Sequence, residues 1–85
     1  MYGYGSHFEK RLRERFGWDW DELKVKSRGL KMESFKTSHE LENRFKGFGE
    51  KIRNNETTIF IVEQLDILIV RVGLEWKTCY RMYGN

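Results

Sequence analysis

Residues 57–83, TTIFIVEQLDILIVRVGLEWKTCYRMY, decide the fold. Thr57 to Glu63, Ile67 to Val72 and Trp76 to Tyr83 are rich in β-branched and aromatic residues, and short polar or glycine-bearing turns separate them. Such side chains suit a pleated, half-buried surface, so the stretch predicts a three-stranded antiparallel meander. Ile67-Leu68-Ile69-Val70 is apolar at every position, which predicts a central strand covered on both faces.

Upstream the period changes from two to about 3.6. Ser6 and Glu9 form a capping box, Phe8, Leu12 and Phe16 recur every fourth residue, and Gly17 supplies a stop, which predicts a helix from His7 to Phe16. Its other faces carry Lys10, Arg11, Arg13 and Arg15. Asp19 and Glu22 repeat the capping pattern and predict a short helix from about Trp20. Leu23, Val25 and Ser27 nevertheless alternate in a strand-like manner, Ser27 to Gly29 looks like a turn, and Leu30 and Met32 alternate with charged residues, so a helix followed by a short extended segment competes with a small hairpin; Phe35 is free to join the core in both cases. Thr37 and Glu40, then Leu41, Phe45, Phe48 and Ile52, predict one helix to about Arg53. Gly47 and Gly49 inside it point to close packing or a weak last turn. Met1 to Gly5 read as a flexible lead-in. The expected class is therefore α+β, with N-terminal helices packed on a C-terminal antiparallel sheet of three or slightly more strands in a single domain.

Composition narrows the function classes. Eighty-five residues suffice for one small core, and at 39% hydrophobic with 15% aromatic residues that core rests on a few large side chains. The formal charge of +3 favours anionic partners weakly, because 16 basic residues are interleaved with 13 acidic ones. The lone Cys79 rules out an internal disulfide framework and predicts a reducing, cytoplasmic setting. The longest apolar run is far shorter than the roughly 20 residues that span a bilayer, and no signal pattern opens the chain, so neither membrane insertion nor export is expected.

Histidine suits proton transfer near neutral pH, and His7 and His39 both stand at predicted helix starts, where the plain alternative is an exposed first-turn residue. Strict alternation in the last strand places Lys77, Cys79, Arg81 and Tyr83 on one face and Trp76, Thr78, Tyr80 and Met82 on the other, making the first cationic and the second core-like. Arg71 in the neighbouring strand adds a second guanidinium of the kind that forks onto phosphate oxygens. The plain alternative is a solvated sheet face. Aromatics interleaved with basic residues are what base stacking needs, with Trp18 and Tyr80 as the candidates for stacking or for an interface, although a small aromatic core looks the same. Cys79 reads as a packing residue rather than a nucleophile. No phosphate loop, metal-ligand cluster or Ser/His/Asp arrangement is visible, so no cofactor or metal is expected.

The element order resembles the superfamily that groups the barnase, EndoU, colicin and RelE nucleases. Ser6 to Gly17, with a histidine, repeated arginines and Phe16-Gly17, is similar to the opening helix of several small toxin-like and phage-borne members. The resemblance implies a metal-independent ribonuclease that turns a ribose 2′-hydroxyl against its own phosphate. RelE-like members use lysines, arginines and a late tyrosine, which Lys77, Arg81 and Tyr83 match here, with Arg71 as a further phosphate contact.

Two functional readings follow. In one, the chain is directed to RNA: Arg71, Lys77 and Arg81 hold phosphate while His7, His39 or Tyr83 moves protons. In the other, it is a non-enzymatic phage- or toxin-system protein that binds a host or antitoxin protein through exposed aromatics and arginines. The first reading carries a sharp expectation, that Arg81→Ala removes RNA binding while shifting stability by less than about 0.5 kcal/mol.

Overall fold

The computed structural model describes residues 6–84. The lead-in read at Met1 to Gly5 and the Ser6 side chain of the first capping pattern lie outside the described residues. The chain is α+β: helices α1 (Ser6–Phe16), α2 (Trp20–Ser27) and α3 (Ser38–Arg44) accompany strands β1 (Glu33–Phe35), β2 (Thr57–Val62), β3 (Ile67–Val72) and β4 (Glu75–Arg81). The strands form one antiparallel sheet in the order β1-β2-β3-β4. No helix among the described residues is long and apolar enough to cross a membrane.

The three predicted strands are present, and β1 is added to them as an edge beside β2. Of the two readings of the stretch after Asp19, the helix followed by a short extended segment is the one adopted, and Phe35 packs into a core cluster. Asp19 and Glu22 form the full reciprocal box, Glu22 N–H to Asp19 Oδ1 and Asp19 N–H to Glu22 Oε1, each at 2.8 Å.

Alternation along β2 and β3 sends apolar side chains to both faces of the sheet. Val62, Ile67, Ile69 and Cys79 meet Phe8, Leu12 and Phe16 of α1 and Leu23 of α2, whereas Ile59, Ile61, Leu68 and Met82 meet Leu41 of α3 and Phe45. Each large side chain removed from water here contributes about 1.5–3 kcal/mol, so both helical layers are held by the sheet's own pattern. Helix α1 runs parallel to β4: Phe8 lies against Trp76, with ring centroids 6.2 Å apart, while Arg15 reaches the Cys79 carbonyl.

The single helix expected to reach Arg53 is corrected. It stops at Arg44, the chain turns through Gly47 at φ +95°, and a short 3-10 turn follows at Gly49–Lys51. Two contacts hold the reversed segment against α3. Gly49 lies so close to α3 that a Cβ would stand 2.9 Å from the Ser38 carbonyl oxygen and from Glu42. The Glu42 carboxylate also accepts from the N–H groups of Gly47 and Gly49, both at 2.9 Å, satisfying donors that an unbroken helix would turn inward.

Those two N–H groups, with Lys46 assisting against partial desolvation, hold the Glu42 carboxyl below its ordinary value of 4.5. A depressed carboxylate contributes stability above its unfolded pKa and loses it as pH falls through the folded one. Glu42→Gln should therefore destabilise most near neutral pH, with parent and variant converging below pH 4.5. Urea unfolding at neutral and strongly acidic pH measures this, and an equal gap at both would refute the carboxylate's role.

The last strand also departs from expectation. Val70 pairs with Thr78 but Arg71 pairs with Trp76, leaving Lys77 as an extra, bulged residue. The bulge turns Trp76 to the same face as Cys79, where it packs with Phe8, Trp20 and Phe60 instead of beside Tyr80 and Met82. The face expected to be cationic and solvated is instead the seat of α1, because Cys79 is fully buried beneath it.

Candidate functional site: a cationic groove between α1 and β4

His7, Arg11 and Arg15 stand at i, i+4 and i+8, each one residue before a core side chain of α1, Phe8, Leu12 and Phe16. They therefore form a stripe flanking the buried one, at the seam where α1 meets the unpaired edge of β4. Lys77, freed from pairing by the bulge, projects from that edge, and Thr78 and Tyr80 follow it. Together they line a groove of about 370 Å³.

Tyr80 is its hinge point. It also borders an adjoining hollow with Glu14, Arg15 and Arg81, and another with Lys51, Arg53 and Asn54. Arg15 Cζ lies 5.0 Å and Lys51 Nζ 4.2 Å from the centroid of its ring. The groove and these continuations hold six basic side chains, Arg11, Arg15, Lys51, Arg53, Lys77 and Arg81, against two carboxylates, Glu14 and Glu75, while the whole chain carries only +3. Charges interleaved along the sequence are thus concentrated in space, which raises the local potential toward anions.

The cations differ in freedom. Arg15 donates from Nη1 to the Cys79 carbonyl at 2.7 Å, so it also caps a sheet-edge acceptor. Among the described residues, Arg11 and Lys77 are tied only to neighbouring carboxylates, Glu14 at 2.9 Å and Glu75 at 2.7 Å. Exposed pairs of this kind are worth at most about 1 kcal/mol and exchange readily for another anion.

Of the residues singled out from sequence, the structure brings His7, Lys77 and Tyr80 into the groove and sets Arg81 at its far end. Arg71 lies elsewhere, its Cζ 5.0 Å from the Phe60 ring and 5.3 Å from Trp76 on the α1 side of the sheet. Because Arg71 pairs opposite Trp76 and Arg81 opposite Ile67, the two guanidiniums stand at opposite ends of β3 and do not converge on one phosphate. His39 is exposed on α3, beyond the opposite sheet face, 3.2 Å from Asn43 Nδ2. Tyr83 follows the end of β4 and meets Phe48 edge to face. Trp18 is stacked on Phe16 beneath Lys26. Cys79 is a packing residue: burial, opposed by Arg15, pushes its thiol up to about 11, leaving it protonated at neutral pH. Among the described residues no three His, Cys, Asp or Glu side chains are grouped to hold a metal ion.

Arg81 has a structural task that its sequence position does not reveal. Its Nε donates to the Arg15 carbonyl at 2.8 Å, satisfying an acceptor at the end of α1, while its Cζ lies 4.5 Å over the Phe16 ring and Nη1 3.6 Å from Asp66. One charged hydrogen bond and a partly exposed cation–π contact make Arg81→Ala cost about 1–2 kcal/mol, more than a solvated residue would. Denaturant unfolding of the variant tests this, and a shift within 0.5 kcal/mol, roughly the range for neutral surface changes, would return Arg81 to solvent.

Arg11, Arg15, Lys51 and Arg53 complete the groove without having been candidates. The spacing of His7, Arg11 and Arg15 was their one visible signal; Lys51 and Arg53 gave none, since they come from the broken end of the α3 segment. No protein-family model, curated protein or solved structure matches this chain.

Proposed function

We propose that this chain is an RNA-directed protein that holds a phosphodiester backbone in the groove between α1 and β4. The observation that carries the reading is the concentration of charge around Tyr80, six basic side chains against two acidic ones. Arg11, Arg15 and Lys77 take the phosphate-binding role that Arg71 and Arg81 held in the sequence reading. In the catalytic form of this proposal, cleavage is metal-independent. The ribose 2′-oxygen attacks the adjacent phosphorus, the 5′-oxygen leaves, and a cyclic 2′,3′-phosphate and a 5′-hydroxyl result. His7, the histidine of the groove, takes the 2′-hydroxyl proton and releases it to solvent, the departing 5′-oxygen takes a proton from water, and Arg11 and Lys77 offset charge on the phosphorane oxygens. The resemblance of the element order and opening helix to the barnase, EndoU, colicin and RelE superfamily favours the same chemistry.

The alternative, a host or antitoxin protein as partner, draws on exposed apolar side chains. Val25, Met32, Leu74 and Tyr83 are exposed, but they come from four separate segments and are the single apolar positions common on any surface.

Labelled single-stranded RNA titrated with the protein across a salt series separates the readings. Three phosphate contacts predict a slope of log affinity against log salt of roughly −2, whereas an aromatic-anchored protein interface changes little. No RNA binding at low salt removes the proposal. Binding without cleavage, at protein excess in EDTA, removes only its catalytic form.

A further inference from the structure

The groove does not end on the α1 side of the sheet. Thr78 and Tyr80, which line it, also line a hollow of about 240 Å³ with Lys51, Arg53, Asn54 and Val70. Val70 and Tyr80 pack on the α3-side core, whereas the groove is walled by α1, which covers the Cys79 face. The two depressions therefore lie on opposite faces of the sheet and meet over β4, its edge strand.

The segment that follows α3 delivers the cations. Lys51 ends the 3-10 turn Gly49–Lys51, and Arg53 and Asn54 come directly after it. Among the described residues neither Lys51 nor Arg53 pairs with a carboxylate, and none lines the hollow. Asn54 adds a neutral donor. Its Oδ1 accepts from the Glu56 N–H at 2.9 Å and the Thr57 hydroxyl at 3.0 Å, which commits the oxygen and leaves Nδ2 without a partner among the described residues. The hollow thus offers an anion charge that is not already neutralised, unlike Arg11 and Lys77, which are paired with Glu14 and Glu75.

We infer that this hollow is a second phosphate site, and that RNA crosses the β4 edge from Arg15 to Lys51 as a single strand. The inference rests on the RNA reading of the groove and adds Lys51, Arg53 and Asn54 to its contacts. Arg15 Cζ and Lys51 Nζ lie 5.0 Å and 4.2 Å from the Tyr80 ring centroid, so their separation cannot exceed the sum of the two, about 9 Å, which two or three nucleotides span at a rise of about 3.4 Å each. Turning from one face of the sheet to the other within that span is open to a single strand, whose backbone rotates freely. A double helix, which in DNA stays stiff over roughly 50 nm, cannot make the turn.

Uridine oligonucleotides carrying 2′-O-methyl groups lack the attacking hydroxyl and report binding without cleavage. Lengthening a tetranucleotide to a hexanucleotide should raise affinity at least about tenfold in the parent, the effect of one more charged phosphate contact. In Lys51→Gln combined with Arg53→Gln that gain should shrink to the small statistical advantage of extra registers. In the ¹⁵N-labelled parent the Asn54 side-chain amide should shift saturably with the hexanucleotide and stay in place with an RNA duplex. No gain with length in the parent, or an equal gain in the folded double variant, overturns the inference while the groove itself still binds. So does an Asn54 amide that the hexanucleotide leaves unmoved or that duplex moves as readily; this readout uses the unaltered protein and holds even if the double variant fails to fold. No binding at either length removes the RNA reading itself, and this inference with it.

Discussion

Asp66→Ala is expected to destabilise the protein by about 2–4 kcal/mol and to lower its melting temperature by roughly 10–20 °C. Asp66 ends the 3-10 turn Glu63–Leu65 between β2 and β3 in the left-handed region, at φ 60°. From there its carboxylate accepts three backbone donors that follow β4: Oδ1 takes Met82 at 3.1 Å and Tyr83 at 2.7 Å, and Oδ2 takes Gly84 at 3.2 Å. Its own carbonyl accepts from Met82 as well, at 3.1 Å. Three bonds to one charged acceptor do not add fully, but their loss frees the chain after β4 and with it Met82, a buried member of the α3-side core. Alanine keeps the Cβ that makes the left-handed conformation cost roughly 1 kcal/mol, a cost glycine does not bear. Asp66→Gly separates the two contributions, since it removes the bonds without the conformational strain. Denaturant unfolding of both variants decides the matter: Asp66→Gly should recover about 1 kcal/mol relative to Asp66→Ala yet stay well below the parent, and a glycine variant close to the parent would show that the clamp is idle.

The second large effect concerns binding. Arg11→Gln combined with Lys77→Gln should weaken RNA affinity by about 3–5 kcal/mol at low salt, a factor of hundreds to thousands, because each charged phosphate contact is worth about 1.5–3 kcal/mol. The fold should shift by no more than about 1 kcal/mol, since among the described residues both side chains are tied only to exposed carboxylates and neither enters a core cluster. The salt slope should fall in magnitude by roughly 1.4, two single-strand phosphate contacts. Arg15 is left intact because it also caps the Cys79 carbonyl, which would mix a folding defect into the readout. Measuring RNA affinity and unfolding on the same preparation separates the outcomes. Unchanged affinity in a folded double variant sinks the groove, and a reduced affinity with an unchanged salt slope assigns these residues a role other than phosphate contact.

The two predictions rest on different grades of legibility. Asp66 was visible only as part of a polar turn between strands; the three donors it gathers lie 16–18 residues further on, and nothing local pairs them. The groove was half visible. The stripe of His7, Arg11 and Arg15 is a matter of helical period alone, but Lys77 was assigned by strict alternation to the face of Cys79 and Arg81. A one-residue bulge, set where β3 and β4 pair, reassigned Trp76 and freed Lys77. The break in the α3 segment has a similar origin: Leu41, Phe45, Phe48 and Ile52 keep helical spacing, but the Glu42 carboxylate gathers the N–H groups of Gly47 and Gly49 and the chain folds back on α3, where Gly49, lacking a Cβ, fits against Ser38.

By itself the sequence determined the α+β class, the capped starts of α2 and α3, the stripe that α1 buries and the central place of Ile67 to Val70, apolar on both faces. All of these follow from the period of side chains along one segment and from caps three residues long. Only the tertiary structure decided that β1 joins the sheet, that α1 seats over Cys79, that Arg81 closes the end of α1 instead of facing solvent, and that Lys51 and Arg53 meet Arg15 around Tyr80. Those depend on which distant segments touch. A three-residue strand such as β1 carries too short a pattern to identify itself, and a cation's neighbours across a seam are set by packing and register, which a period along one segment does not encode.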